Sequence, residues 1–230
     1  LLIFVRSLFF LALVLVLSIL SVLSILPILA IFPVVPVSAQ VDYPPAYPRS
    51  GADKVLENQH VIVWNISWLK QDYPIHRHRY PHTGVYYSAG DRIITSLEGE
   101  ARDVHTDAWN ISYQPSGVTH TETGVSEQPL QAIFIQIKRG TQDGATESGD
   151  VPAFPTDSPL ERRANERIQV WEYPPDQSAT DSGLHVHRHD AVMVWFDEEN
   201  SPNVHFVSRG TRHAGEIPTT ASRVFVFEIL

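Results

Sequence analysis

The sequence predicts an all-β protein made of two unequal copies of one unit, set behind an apolar N-terminal segment. Three observations carry this reading. Short β-branched and aromatic runs recur between Gly, Asp, Pro and Ser positions. No helical period competes with them over most of the chain. Four features of the first half also return in the same order in the second.

The first forty residues are unlike the rest. From Leu8 to Val37 no side chain is charged, and Arg6 precedes the run. A basic start, a long apolar region and the small-x-small end Val37-Ser38-Ala39 are what a secretory peptidase reads. Residues 1–39 are therefore expected to be a signal peptide cleaved after Ala39, giving a periplasmic or secreted protein that begins at Gln40. The stretch also exceeds the about 20 residues that span a bilayer, so a retained membrane anchor over residues 7–37 is the other outcome. Pro27, Pro33 and Pro36 would break a continuous helix there.

Composition narrows the chemistry. Lys and Arg total 17 against 26 Asp and Glu, a formal net charge of −9, and no Lys/Arg run could follow a phosphate backbone. Nucleic acid is not an expected partner; a small-molecule ligand is. There is no cysteine, which removes disulfides, thiolate zinc sites and thiol nucleophiles. Any metal must be held by His and carboxylates.

Along the chain, residues 41–54 are rich in Pro and Tyr and read as an extended lead-in. Strands are expected at His60 to Trp68, Val85 to Tyr87, Arg92 to Leu97, Ala108 to Tyr113 and Gln131 to Lys138. Gly140 to Pro159 is Gly, Ser, Thr, Asp and Pro with few large apolar residues, a linker or long exposed loop. Leu160 to Arg167 is expected to form a short helix.

Beyond this linker the first half recurs. Ile168-Gln169-Val170-Trp171 answers Val61-Ile62-Val63-Trp64, and His185-Val186-His187-Arg188 answers His76-Arg77-His78-Arg79. Gly210-Thr211-Arg212-His213 answers Gly117-Val118-Thr119-His120, and Arg223 to Ile229 answers Ala132 to Ile137. The division is a first domain over 40–139, a linker over 140–163 and a second domain over 164–230. From the second His of each pair to the late His is 120 − 78 = 42 positions in copy one and 213 − 187 = 26 in copy two. The second copy has thus lost about a hairpin, and is expected to lean on the first copy, or on another chain in a homodimer, to cover a sheet edge. Reversing strands with no helices to cover them must bury their apolar faces as a sandwich or small barrel.

Six of the 11 histidines fall in the repeated places. In a strand, residues i and i+2 share a face, so His76 with His78, and His185 with His187, each present two imidazoles to one side. His120 and His213 come from later strands; brought beside the pairs, each completes three nitrogen donors with positions left open. Neutral imidazole suits a divalent transition metal, Fe, Mn, Ni, Cu or Zn, without choosing among them.

The order H-x-H, a strand, then P-x-G-x-x-H resembles the two motifs of the cupin family. Pro115-Ser116-Gly117-Val118-Thr119-His120 fits the core of the second motif and His76-Arg77-His78 opens the first. The resemblance spans residues 58–138 and 166–230 and implies two jelly-roll β-barrels in tandem, a bicupin, with the second shortened. It also implies metal ligands His76, His78 and His120 in one copy and His185, His187 and His213 in the other. The family's glutamate, four positions after the second His, is replaced here by His82 in copy one and Ala191 in copy two, with Asp190 one place earlier. Gly124 and Ile217 stand where the second motif has asparagine, and Ser208 where it has proline.

Three neutral imidazoles without a carboxylate leave a divalent ion uncompensated, which favours an anionic ligand. His82 is read as a fourth donor or a general base. Arg77, Arg79 and Arg188 could support an anion, although Arg77, between two inward histidines, should point outward. His189 is a substitute donor or a surface residue; His60, His105 and His205 are structural or exposed. Trp64, Trp68, Tyr86, Tyr87, Trp109, Trp171, Trp195 and Phe196 are expected to fill the barrels. The functions left open are a metal-dependent oxidoreductase of the dioxygenase type acting on a small anionic substrate, a non-catalytic binding or structural protein, and metal storage.

Overall fold

The computed structural model describes residues 41–138, 149–156, 159–173, 183–214 and 221–230. The apolar N-terminal segment on which the export reading rests, part of the linker and Ile217 lie outside the described residues. Every described regular element is a strand.

The first unit contains β1 (Ala52–Glu57), β2 (Val61–Trp68), β3 (Asp72–Arg77), β4 (His82–Tyr86), β5 (Gly90–Ser96), β6 (Ala101–Thr106), β7 (Ile111–Gln114), β8 (Thr119–Gly124) and β9 (Leu130–Ile137). They form a five-stranded sheet, β1-β2-β9-β4-β7, and a four-stranded sheet, β3-β8-β5-β6. The second unit contains β10 (Leu160–Ala164), β11 (Ile168–Tyr173), β12 (His185–Val186), β13 (Asp190–Phe196), β14 (Pro202–Val207), β15 (Arg212–His213) and β16 (Arg223–Ile229). Its five-stranded sheet, β10-β11-β16-β13-β14, repeats the first sheet strand for strand, and β12-β15 answers β3-β8. The hairpin missing from copy two is therefore β5–β6. β13 turns directly into β14 where β4 reaches its counterpart β7 only after that insertion.

Register confirms the alignment. Val61, Ile62 and Val63 face Ile137, Gln136 and Ile135, as Ile168, Gln169 and Val170 face Ile229, Glu228 and Phe227. Trp64 Nε1 donates to Gln136 Oε1 at 2.9 Å, and Trp171 Nε1 to Glu228 Oε2 at 3.0 Å. These are one contact written twice, with an amide in one copy and a carboxyl in the other.

Both faces of the central strands of each five-stranded sheet are buried, by different partners. Val61, Val63, Val85, Ile111, Ile133, Ile135 and Ile137 pack in one cluster with Ile168, Val170, Val192, Val194, Phe196, Phe225, Phe227 and Ile229. The two barrels thus share a core. The alternate residues turn inward: Trp64, Ile66, Trp68, Tyr86 and Phe134 in barrel one, Tyr173, Met193, Val224 and Val226 in barrel two. Period-two alternation with both faces covered explains why these strands read as near-continuous apolar runs. Tyr87, Trp109 and Phe196, expected inside the barrels, instead pack in the shared core.

Three expectations need correction. Leu160 to Arg167 is not a helix: β10 is an edge strand paired with β11, and its start at Leu160 lies inside the stretch read as linker. The lead-in over 41–54 gives way at Ala52 to its counterpart, β1. The strand expected from Ala108 begins only at Ile111, because Trp109 adopts a φ of 67° in the preceding turn.

Candidate metal centre

β3 and β8 pair with His76 directly opposite His120. His78 lies one residue past β3, where its N–H donates to Val118 O at 2.9 Å and its carbonyl accepts from Gly117 N at 2.7 Å. Gly117 has a φ of 88°, a conformation glycine adopts without steric cost, so the motif glycine fastens the turn before His120 to the H-x-H strand. The three rings gather at centroid separations of 5.2 Å (His76–His78), 4.8 Å (His76–His120) and 5.1 Å (His78–His120). One donor atom from each lies within 4.8 Å of the others. His76 Nδ1 lies 2.9 Å from Pro74 O; a carbonyl only accepts, so Nδ1 carries the proton and Nε2 keeps its lone pair.

Copy two repeats the arrangement. His185 faces His213 across β12–β15, Gly210 N donates to His187 O at 2.8 Å from a φ of 77°, and His185 Nδ1 lies 3.0 Å from Gly183 O. The ring separations are 5.2, 4.3 and 5.0 Å, and again three donors lie within 4.8 Å. His185 Nε2 and both nitrogens of His187 are buried without a hydrogen-bond partner. Buried imidazole nitrogens without partners are poorly stabilised by protein alone, and the donor set fits a cupin metal site in both barrels.

Burial keeps His78, His120 and His187 neutral, the ligating form. His120 is lowered to about 4 by desolvation, against the opposing pull of Glu122. Desolvation, reinforced by His213 and His185, lowers His187 to about 3. His78 is lowered furthest, by desolvation and then by His82, His120 and His76.

His82 points into barrel one, stacked on His78 at 4.7 Å, and lies outside the group of mutually close donors. Its Nδ1 is buried without a partner, and burial lowers it to about 3. In register with β9 and β16 its equivalent is Ala191, as the motif spacing implies. Asp190, one place earlier, faces the other way. It receives His60 Nδ1 at 3.0 Å and Arg209 N at 2.9 Å, a tie between the barrels. His105 is exposed and pairs with Asp91 at 2.6 Å, His205 is exposed, and His189 is half-buried outside the second triad.

The arginines singled out in sequence do not enter the site. Arg77 Nε donates to Gly117 O, Arg79 is exposed near Asp42, and Arg188 is exposed. Those that enter barrel one are Arg49 and Arg92, together with Glu122, two residues after His120 on the same face of β8. Glu122 Oε1 lies 3.8 Å from His120 Nε2. Arg92 and Arg49 outweigh the burial that would raise this carboxyl and hold it below the usual range. The i, i+2 spacing from His120 could have found Glu122. Arg49 and Arg92 carry no such signal.

A further repeat lies in the segments read as lead-in and linker. Pro45-Ala46-Tyr47-Pro48 and Pro152-Ala153-Phe154-Pro155 each run parallel to an H-x-H strand, through bridges Pro45–Arg77 and Ala153–Val186. Each strap lays an aromatic ring by the histidines: Tyr47 edge-on to His78 at 6.3 Å, Phe154 stacked on His187 at 4.6 Å. Gly124, where the second motif has asparagine, is explained by crowding, since a Cβ there would run into the Leu69 carbonyl.

No protein-family model and no curated protein matches the sequence. Solved structures do. AerE from Microcystis aeruginosa is 11% identical, with a TM-score of 0.48 over 82% of this chain and 98% of that one. A cupin 2 conserved barrel domain protein from Leptotrichia buccalis is 11% identical, with a TM-score of 0.43 over 83% and 92%. A cupin domain from Bordetella pertussis is 20% identical, with a TM-score of 0.36 over 43% of this chain and 99% of its own. With the same sheet order in both copies, and an H-x-H strand meeting a G-x-x-H turn in each, the chain is a cupin-fold protein of two barrels in tandem.

Proposed function

We propose that this is an exported, metal-dependent oxidoreductase of the dioxygenase type, whose reaction centre lies in barrel one and acts on a small anionic substrate. The observation that carries the reading is the contrast between the triads. Among the described residues, His76, His78 and His120 have further titratable groups beside them, His82 and Glu122. A divalent transition ion held there would supply Lewis acidity and a point of attachment for an anionic ligand. His76 is oriented by Pro74 and His78 by its stack with His82, while Tyr47 and Phe134 wall the cluster. His82 is assigned the proton-handling role. It is neutral, its Nδ1 is free, and a bound anion beside it would raise its basicity toward the working range. His185, His187 and His213 form a second, structural metal site.

A second reading, a non-catalytic binding cupin, is favoured by one observation: among the described residues no carboxylate joins either group of close donors. Metal content per chain, measured on tag-free protein with His76→Ala and His185→Ala beside it, separates the two. The enzyme reading expects a transition metal in barrel one that is lost with His76→Ala together with oxygen consumption on carboxylate or phenolic substrates. Protein that retains no metal after reconstitution overturns it.

A further inference from the structure

Barrel one buries two guanidinium groups against one carboxylate. The Arg49 and Arg92 side chains are 10% and 11% exposed, and that of Glu122 is 7% exposed. Glu122 Oε2 accepts from Trp68 Nε1 at 2.9 Å and lies 3.5 Å from Arg49 Nη2, while Oε1 lies 3.3 Å from Arg92 Nη1. Both guanidinium carbons stand over the Trp68 ring, at 5.2 and 4.7 Å, and Arg92 Nη2 also donates to Tyr86 Oη at 2.8 Å. Two guanidinium groups against one carboxylate leave one positive charge in excess inside a wall of aromatic rings. Arg49 Nη1 and Nη2 and Arg92 Nε are buried with no hydrogen-bond partner. Charged donors in that condition are among the most costly groups a protein interior can hold, and an anion relieves both the charge and the missing bonds.

We propose that Arg49 and Arg92 form an anion subsite beside the histidine triad of barrel one, which receives the carboxylate of a small organic acid. The subsite deepens the reading of barrel one as a site for an anionic substrate and rests on it. The planar fork of a guanidinium matches the two oxygens of a carboxylate. The aromatic walls suit an apolar body. Among the described residues barrel two has no such subsite: the position after its strap proline is the exposed Thr156, and no strand answers the one that carries Arg92. Glu122 holds the two cations in place, and its own charge sets how strongly they attract the ligand.

The test is calorimetric titration of the purified protein with benzoate, and separately with inorganic phosphate, with metal content measured on each sample. Arg49→Met leaves Arg92 and Glu122 as a neutral pair and so keeps the fold. It is expected to weaken benzoate binding by about tenfold or more, the loss expected for one charge-assisted contact, with metal unchanged. Glu122→Gln keeps an acceptor for Trp68 but removes the competing charge, and is expected to tighten benzoate several-fold, the opposite sign. A purely structural role for the three residues would weaken binding in both variants. Wild-type protein that binds no benzoate, prefers phosphate, or binds benzoate equally well as Arg49→Met overturns the subsite. Absence of metal in samples that still bind benzoate through Arg49 overturns the reaction assigned to the triad and leaves the subsite standing.

Discussion

Barrel one and barrel two share a sheet order, a strap, a tryptophan anchor and a histidine triad, yet they differ in what surrounds the triad. In barrel one the rings stand near His82, Glu122, Arg49 and Arg92. In barrel two they meet Phe154, and the equivalent of His82 is Ala191. Two residues of the first constellation, His82 and Glu122, replace or adjoin existing motif positions; Arg92 arrives with an inserted hairpin. The comparison teaches that the donor set belongs to the repeated unit, whereas, among the described residues, His82, Glu122, Arg49 and Arg92 surround it in one copy.

The sharpest way to break the comparison is to ask whether the copies are separate bodies at all. Phe227 is fully buried in the core shared by both sheets. Phe227→Ala is expected to cost about 3–5 kcal/mol, the usual price of a large cavity, and to lower the urea midpoint of both barrels together. Two separate transitions by tryptophan fluorescence and near-ultraviolet dichroism would show the barrels to be independent.

Acid is expected to have the next largest effect. In protein stripped of metal by chelator, His120 is lowered to about 4 and His82 and His187 to about 3, below the ordinary histidine value near 6.5. Between those values the unfolded chain binds more protons than the folded one. Stability is therefore full above about pH 6.5 and is lost progressively as the pH falls toward 4. His82 also contributes to the lowering of His78, so His82→Phe, which removes one group and relieves another, should flatten the profile more than His187→Phe. Urea midpoints from pH 7.5 to 4 check this, and a flat wild-type profile would contradict it.

The smallest effect sharpens the one contact that differs by a single group. Burial raises the Glu228 carboxyl above its usual range, against its bond from Trp171, so its ionised form is disfavoured in the fold. That penalty grows as the pH rises through the unfolded-state value. Glu228→Gln, which copies Gln136 of barrel one, is expected to stabilise the protein by about 1 kcal/mol at pH 8, with less gain at pH 4.5. Thermal melting at the two pH values reads the difference.

Strands whose two faces are buried were legible because their β-branched residues have few other uses: Val61 to Trp68 and Leu130 to Ile137 nearly coincide with their predicted spans. The triads were legible through i, i+2 spacing. β10 was not. Leu160-Glu161-Arg162-Arg163-Ala164 is mostly exposed and made of good helix formers, and pairing with β11 overrides that local preference. Its charges suit an exposed edge, and Arg162 and Arg163 reach across to the carbonyls of Trp109 and Ile111. Arg49 and Arg92 were illegible for a different reason: a buried arginine is recognised by what encloses it, and Trp68, Tyr73, Tyr86 and Glu122 come together only in the fold. The strap repeat was written in plain sight, but its four residues form no regular element and sit where proline-rich sequence is read as connection.

The double burial of the five-stranded sheets reaches further than packing. In β4, His82, Gly84 and Tyr86 belong to the barrel, and Thr83 and Val85 face its neighbour. A strand with one wet face can tolerate a slipped pairing at some loss of core; here a slip by one residue would carry the barrel's histidine into the seam between barrels and a β-branched side chain toward the histidine triad at the same time. Each central strand is proofread from both sides, so the alignment that builds the core is also the alignment that gathers the histidines, and a misregistered chain has neither.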